Sequence, residues 1–309
     1  MIALFQYYRI ISAFLIVLIH QQFWTVPLVP GRFTIAAVPL FSAMAGFLFA
    51  KTLTKDFEIK VELIKKVRRI LIPYVIWAVV YWIANSVVLD VLIRHESFNL
   101  PSLRSWLLGG TACHLWFLPC LFTMFVVFAL MDRIAIKSNI RLVWFAVMIL
   151  VLSGLSQLIP DVTSTTLGGY VRIYFGRCAF YFALGTIMYQ LDVSKSIALY
   201  SGGGGILLGC INVALQLLSG LIWNPLLLVI GLMLIAQHFH NIKLPRWGAQ
   251  LSEASMGIYL VHVLFTSGAN FALQKIGHLP LPSIIGFALS LLIFAVSFFT
   301  VRLIPKKFL

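Results

Sequence analysis

The sequence predicts an all-α membrane protein, a single bundle of about ten transmembrane helices over residues 1–309 with both termini in the cytoplasm. Apolar residues make up 61% of the chain and charged residues only 10%, and the mean hydropathy is +1.01. Apolar runs long enough to cross a bilayer recur along the whole chain, and most of the positive charge lies at every second connection. A soluble protein of this length needs far more charge to cover its surface.

The apolar runs are the basis of the predicted helix count, because a membrane-spanning helix needs about 20 mostly apolar residues. Ten such runs occur, at residues 8–26, 34–53, 69–93, 113–132, 141–159, 170–190, 197–218, 222–239, 251–274 and 281–304. The connections between them are short, which argues against an appended soluble domain. Apart from the lysine- and arginine-rich connection between the second and third runs, the longest connection is at residues 94–112. We expect a short amphipathic helix there.

The lysines and arginines predict the orientation, because cytoplasmic loops carry an excess of positive charge. With the N-terminus in the cytoplasm, 17 of the 23 fall on the cytoplasmic side, five fall outside, and Arg177 lies within the sixth run. Both termini are then cytoplasmic, which requires an even number of spans. The net charge of +14 follows from this topology and from attraction to anionic lipid headgroups. Nucleic-acid binding, which needs a soluble basic face, is not expected.

The glycines of the seventh run predict close helix packing. Gly202 to Gly205 are followed by Gly209, and small residues let two helices approach closely. A phosphate-binding loop would need a lysine directly after its glycines, and none follows here.

Arg9 and His20 are ionisable residues of the first run, where such groups are costly and often functional. Eleven residues of α-helix turn through three full turns to within about 20°, so both side chains lie on the same face of the helix. Along the helix axis the two residues are about 16 Å apart. Arg9 is thus expected at the cytoplasmic surface and His20 past the middle of the membrane. A positive residue at a helix end is ordinary, and a hydrogen-bonded structural histidine is the alternative for His20.

Two further histidines reach a similar depth. His262 lies within the ninth run and His114 opens the fourth. Each alone is compatible with an interfacial or hydrogen-bonded polar residue, but together with His20 they indicate a polar cavity in the outer half of the bundle. A metal site is disfavoured, because neither an HExxH motif nor a cysteine–histidine spacing occurs.

A cluster of cations, which we call the basic cluster, leads into the third run and comprises Lys65, Lys66, Arg68 and Arg69. Two interpretations stay open. The cluster is either a positive-inside signal with lipid contacts, or a phosphate-binding site for a multiply phosphorylated cytoplasmic ligand.

Several short motifs of the sequence resemble those of acyltransferase family 3, in its stand-alone form without an extracytoplasmic hydrolase-like domain. The resemblance runs along nearly the whole chain and rests on Arg9 and His20 with ten residues between them, Pro39–Leu48, Lys66–Tyr74, His114–Leu118, Phe182–Gly185 and Ile258–His262. The chain departs from the family pattern at Gln6, Ile10, Ala45 and Lys66.

The resemblance implies an O-acetyltransferase of the bacterial cytoplasmic (inner) membrane. The implied donor substrate is acetyl-CoA, and the resemblance implies no bound cofactor. The implied acceptor is a hydroxyl of a cell-surface or polyprenyl-linked glycan, such as O-antigen or exopolysaccharide. His20 would act as general base, with an acetyl-imidazole intermediate as the alternative. Arg9, the second catalytic candidate, would anchor a phosphate of the donor or polarise groups along the face that it shares with His20. The basic cluster would hold the other phosphates of the donor.

The remaining candidates are assigned to acceptor binding: His114, Trp116, Arg177, Tyr259 and His262. The connection from Arg94 to Ala112 is expected to specify the acceptor. Two other functions stay open, the transfer of a succinyl or other acyl group and a transporter or flippase of lipid-linked glycans. No duplicated halves of the usual transporter kind are visible in the sequence.

Overall fold

A computed structural model of the chain describes residues 3–21, 32–53, 58–86, 100–103, 106, 111–138, 141–158, 174–191, 193–218, 222–239, 242–277, 281–305 and 308. The described part is helical, which confirms the predicted fold class. Its α-helices are α1 (Ala3–Ile19), α2 (Ala37–Thr52), α3 (Ile59–Lys66), α4 (Ile72–Trp82), α5 (Phe117–Lys137), α6 (Leu142–Leu155), α7 (Phe180–Gln190), α8 (Lys195–Leu215), α9 (Trp223–His238), α10 (Arg246–Lys275) and α11 (Ser283–Leu303).

Short segments of other helix types flank these helices. 3₁₀ turns stand at Phe33–Ala36 before α2 and at Ser156–Leu158 after α6. π-helical segments join α3 to α4 at Val67–Leu71 and lead into α7 at Tyr174–Ala179. Such π segments inside α-helices are uncommon and often occur at functional sites.

The membrane class follows from helix length and hydropathy. Six helices of the described part are long and apolar enough to cross a bilayer, namely Phe33–Thr52, Ile59–Ser86, Phe117–Lys137, Lys195–Leu215, Arg246–Lys275 and Ser283–Leu303. Shorter apolar helices occupy Ala3–Ile19, Leu142–Leu158 and Trp223–His238. Each of the ten predicted runs overlaps a helical segment, whereas the count of ten crossings and the orientation stay predictions.

The helix ends differ from the predicted ones in places. α1 begins at Ala3 rather than at residue 8, because Phe5 is fully buried and its ring packs edge-on against that of Phe47 at 5.3 Å. The end of the predicted run, residues 22–26, lies outside the described residues. So does most of the amphipathic helix expected at residues 94–112.

The chain divides into two compact units. The first unit comprises Met1–Thr52 and Arg141–Leu303, and the second comprises Leu53–Ile140 and Ile304–Leu309. In the first unit α2 packs on α7, α8 on α9 and α10 on α11, while α1 contacts both α2 and α10. In the second unit α5 packs against α3 and against the π-helical segment Val67–Leu71. The prediction of a single domain over 1–309 stays a prediction.

Glycines allow α2 and α7 to lie in backbone contact. A Cβ atom added to Gly46 would overlap the carbonyl oxygen of Phe182, and one added to Gly185 would overlap that of Ala43. The buried hydroxyl of Thr186 lies 3.1 Å from the carbonyl oxygen of Phe182 and 3.4 Å from that of Gly46, so it can donate to either. Both glycines belong to the stretches that carry the family resemblance, and their role here is close helix packing.

The glycines of α8 play the same part against α9. Gly202, Gly205 and Gly209 face α9, where a Cβ atom would press on residues 227–235. Gly203 and Gly204 have open space around them. The predicted close packing is therefore confirmed for three of the five glycines.

We expect Gly46→Ala to destabilise the folded protein, because the new methyl group has no room against the α7 backbone. Overpacking of this kind costs about 1–3 kcal/mol. Gly154→Ala is the matched control, since a Cβ at Gly154 of α6 meets nothing within 4 Å. Denaturant unfolding in detergent measures both variants. Equal unfolding free energies for the two would contradict the proposed contact.

Candidate functional site

The junction of α1, α10 and α11 gathers polar side chains inside an otherwise apolar bundle. Buried hydroxyls lie on all three helices: Ser12 on α1, Ser252, Ser255 and Thr266 on α10, and Ser290 and Ser297 on α11. Small polar residues at helix interfaces let membrane helices approach closely and form hydrogen bonds. The three helices that meet here therefore bury polar side chains as well as apolar ones.

His20 and His262 meet at this junction. His20 follows directly after Ile19, the last residue of α1, and is half-buried. His262 lies in the middle of α10 with none of its surface exposed. The centroids of the two rings are 5.2 Å apart and the ring planes are inclined by 47°. The structure thus brings together two histidines that the sequence could place only at similar depth.

The α10 backbone holds the ring of His262. Its Nδ1 lies 2.8 Å from the carbonyl oxygen of Tyr259 and 3.1 Å from that of Ile258. The hydroxyl of Thr266 donates to the carbonyl oxygen of His262 at 2.9 Å. Tyr259, predicted to contact the acceptor, is itself buried, and its ring centroid lies 6.3 Å from that of His262. The orientation of His262 is therefore fixed by its own helix.

Gln21 anchors the chain directly beside His20, a role that the sequence analysis missed. The Gln21 side chain is buried, and its Oε1 lies within hydrogen-bond distance of the Ser290 hydroxyl of α11, which can donate to it or to the carbonyl oxygen of Gly286. An amide within an apolar run is costly unless it is hydrogen-bonded. That cost was a usable signal for Gln21, whereas nothing in the sequence identified Ser290 as its partner.

The two candidate arginines of the first unit lie in helical segments. Arg9 is half-buried in the first half of α1, with six residues of helix before it, rather than at the helix end. Arg177 is half-buried in the π-helical segment before α7, and its carbonyl oxygen accepts a hydrogen bond from the Ser42 hydroxyl at 3.3 Å. Arg177 forms no ion pair with any of the described residues.

The second unit holds His114 and Trp116. His114 is buried, and its ring lies edge-on against the ring of Tyr81 of α4, with centroids 4.9 Å apart. Trp116 is half-buried and its ring stands 6.0 Å from that of Phe117. The contact with Tyr81 could not be read from the sequence, since nothing distinguishes this tyrosine from the other aromatic residues of its run.

The basic cluster is not a set of four equivalent cations. Lys65 forms an ion pair with Glu62 at 2.5 Å, and the ammonium of Lys66 lies 4.5 Å from the centre of the Phe125 ring. Arg68 and Arg69 are exposed within the π-helical segment Val67–Leu71. The guanidinium groups of these two arginines are therefore the best placed to receive an anion, because arginine matches phosphate in a bidentate geometry.

The candidate residues divide between the two units. His20, Arg9, Arg177, Tyr259 and His262 lie in the first, and the structure brings His20, His262 and Tyr259 into one cluster. His114, Trp116 and the basic cluster lie in the second. The cluster around His20 offers an imidazole at a polar junction, which suits proton transfer to and from a hydroxyl or thiol.

Comparison with known proteins identifies the type of chain. The family model described as "Acyltransferase domain" matches residues 3–302, which is nearly the whole chain and runs through both units. No curated protein and no solved structure matched the chain.

We expect Ser290→Ala to lower the free energy of unfolding by about 1–3 kcal/mol, because the buried Gln21 amide loses its partner. Ser297→Ala is the matched control, since Ser297 is a fully buried hydroxyl of the same helix that has no hydrogen bond to any described residue. Unfolding of both variants in detergent checks the prediction. Equal losses would show that the bond to Gln21 does not stabilise the junction.

Proposed function

Because the chain belongs to the acyltransferase family whose model it matches, and is a multi-pass membrane acyltransferase, we propose that it moves an acetyl group from cytoplasmic acetyl-CoA to a hydroxyl of an extracytoplasmic glycan. The proposed location is the bacterial cytoplasmic membrane, with both termini in the cytoplasm. The observation that carries the proposal is the placement of His20, a half-buried imidazole at the polar junction of α1, α10 and α11.

His20 acts as the general base in the proposed reaction. One ring nitrogen takes the proton of the acceptor hydroxyl while the hydroxyl oxygen attacks the thioester carbonyl carbon. The C–S bond of the resulting tetrahedral intermediate then breaks. The departing thiolate receives the proton from the His20 imidazolium, so that the products are the O-acetyl ester and free CoA. Direct transfer needs no covalent enzyme intermediate.

Donor recognition is assigned to cations, because CoA carries several phosphate groups. Arg68 and Arg69 supply exposed guanidinium groups, and Lys66 adds a third charge beside them. Lys65 contributes less, since Glu62 already neutralises it. Arg9, on the same helix as His20, holds donor charge as well.

Acceptor recognition is assigned to the polar and aromatic candidates. Arg177 has a cationic side chain within an apolar helical segment, which suits an anionic group such as the phosphate of a polyprenyl-linked sugar. His114 and Trp116 supply an imidazole and an aromatic face for a sugar ring. Tyr259 supports the junction next to His262.

His20→Gln and His20→Ala are both expected to lower the turnover number of acetyl transfer by about 10²–10⁴-fold, the usual share of a general base. The assay is glycan-dependent release of CoA thiol from acetyl-CoA by the purified protein, with mass spectrometry of the glycan product. Near-normal turnover in both folded variants would rule out His20 as the base. A mass shift other than that of an acetyl group would identify a different acyl donor.

Arg68→Gln and Arg69→Gln together are expected to raise the KM for acetyl-CoA with little change in kcat, because they remove binding that is equal in the ground and transition states. Two charge-assisted hydrogen bonds of about 1.5 kcal/mol each correspond to roughly a hundredfold change in KM. Lys60→Gln, an exposed cation of α3, is the control with unchanged KM. An unchanged KM for acetyl-CoA in the double variant would show that Arg68 and Arg69 do not bind the donor. The basic cluster would then be explained as a positive-inside signal.

A further inference from the structure

His262 is an ionisable side chain with no exposed surface, in the middle of a membrane helix. A charge there is costly, so the neutral imidazole is the favoured form. Its Nδ1 lies beside two backbone carbonyl oxygens, of Tyr259 and Ile258, and a carbonyl oxygen only accepts hydrogen bonds. Nδ1 therefore carries the hydrogen, and the lone pair of the ring is at Nε2. The helix backbone selects one tautomer of His262.

The ring of His20 is the aromatic neighbour of this fixed imidazole, at a centroid distance of 5.2 Å. Since each ring nitrogen lies about 1.1 Å from its ring centre, an N–H···N bond of about 2.9 Å needs rings roughly 5 Å apart. The spacing already has this value. His20 is half-buried at the end of α1, so its ring can turn, whereas the ring of His262 is held by its helix. Catalytic hydrogen bonds are often misaligned in ligand-free structures and tighten when substrate binds.

We propose that His262 is the positioning residue of His20, with Nε2 of His262 accepting the N–H of the His20 ring. The second nitrogen of His20 is then the one with a lone pair, and it faces the acceptor hydroxyl. The arrangement corresponds to a base oriented by a third group, with a neutral imidazole in the place of the usual carboxylate. This inference rests on the function proposed above.

The proton balance is simple in this arrangement. The hydroxyl proton moves to His20, which becomes an imidazolium, and later moves to the sulfur of CoA. The hydrogen bond to His262 strengthens while His20 is charged, and His262 neither gains nor loses a proton. Direct contact with the acceptor, which the sequence analysis predicted for His262, is replaced by action through His20, because the side chain has no exposed surface.

A purely structural role of His262 predicts a different result for its variants. If His262 only packs against its neighbours and bonds to its own helix, leucine at this position would support the same kcat in an apolar bundle. Glutamine would then give no higher kcat than leucine. If Nε2 is an acceptor for His20, leucine removes the acceptor and glutamine returns one, because the amide oxygen of its side chain reaches the place of Nε2.

The test compares His262→Leu, His262→Gln and the control Thr186→Val with the wild type. Thr186 is a buried threonine of α7, a helix that is not part of the junction, and its hydroxyl serves backbone carbonyls. We expect His262→Leu to lower kcat about 100-fold, within the range of acid–base effects, with an unchanged KM for acetyl-CoA. His262→Gln is expected to recover at least a tenth of wild-type kcat, and Thr186→Val to stay near the wild type.

A second readout needs neither donor nor acceptor. The rate at which diethyl pyrocarbonate modifies His20, followed by mass spectrometry of the peptide that carries it, reports the nucleophilicity of the His20 ring. We expect this rate to fall several-fold in His262→Leu and to recover in His262→Gln. Unchanged modification rates in the folded leucine variant would overturn the proposal, as would equal kcat losses for leucine and glutamine with equal modification rates.

The two readouts separate the two hypotheses. A wild-type protein without acetyl transfer would refute the proposed function, while the modification rates would still decide whether His262 positions His20. Acetyl transfer that needs His20 but is indifferent to His262→Leu would refute the positioning role alone.

Discussion

The hydrocarbon of a bilayer offers no hydrogen-bond partners, so a polar group within this bundle is stabilised by a partner inside the protein. At the junction of α1, α10 and α11 several polar groups have such partners, while the hydroxyls of Ser12 and Ser297 bond to no described residue. His262 uses carbonyl groups of its own helix, Thr266 bonds back to the carbonyl of His262, and Gln21 reaches Ser290 across the junction. An imidazole can be kept at this depth because its surroundings are polar and already ordered.

The rest of the first unit holds α1 in place for that junction. Phe5 near the start of the helix packs on Phe47 of α2, and Gln21 beyond its end bonds to α11. α2 in turn lies in backbone contact with α7 through Gly46 and Gly185. A site on helices held at both ends is positioned more accurately than one on loops. The glycines therefore serve the site although they lie outside it.

The helices were largely predictable from the sequence, because the length and apolar character of a membrane segment are local properties. The helix ends were less so, as the early start of α1 shows, since burial of Phe5 is a tertiary effect. The π-helical segments Val67–Leu71 and Tyr174–Ala179 could not be recognised from any pattern in the sequence. His20 was found because a histidine in an apolar run is costly, but its contact with His262 joins residues far apart in the chain. The four cations of the basic cluster likewise differ because of tertiary and local contacts, since Lys65 pairs with Glu62 and Lys66 lies against the Phe125 ring. Their spacing in the sequence does not show this.

In the proposed reaction a thioester on the cytoplasmic side supplies an acetyl group to a hydroxyl on the other side of the membrane, through the polar junction of α1, α10 and α11. Inside-out membrane vesicles test it directly, with isotope-labelled acetyl-CoA, which does not cross membranes, added outside and the acceptor glycan enclosed. The proposed reaction predicts labelled acetyl esters on the enclosed glycan. It would be contradicted if the glycan became labelled only when acetyl-CoA was enclosed with it.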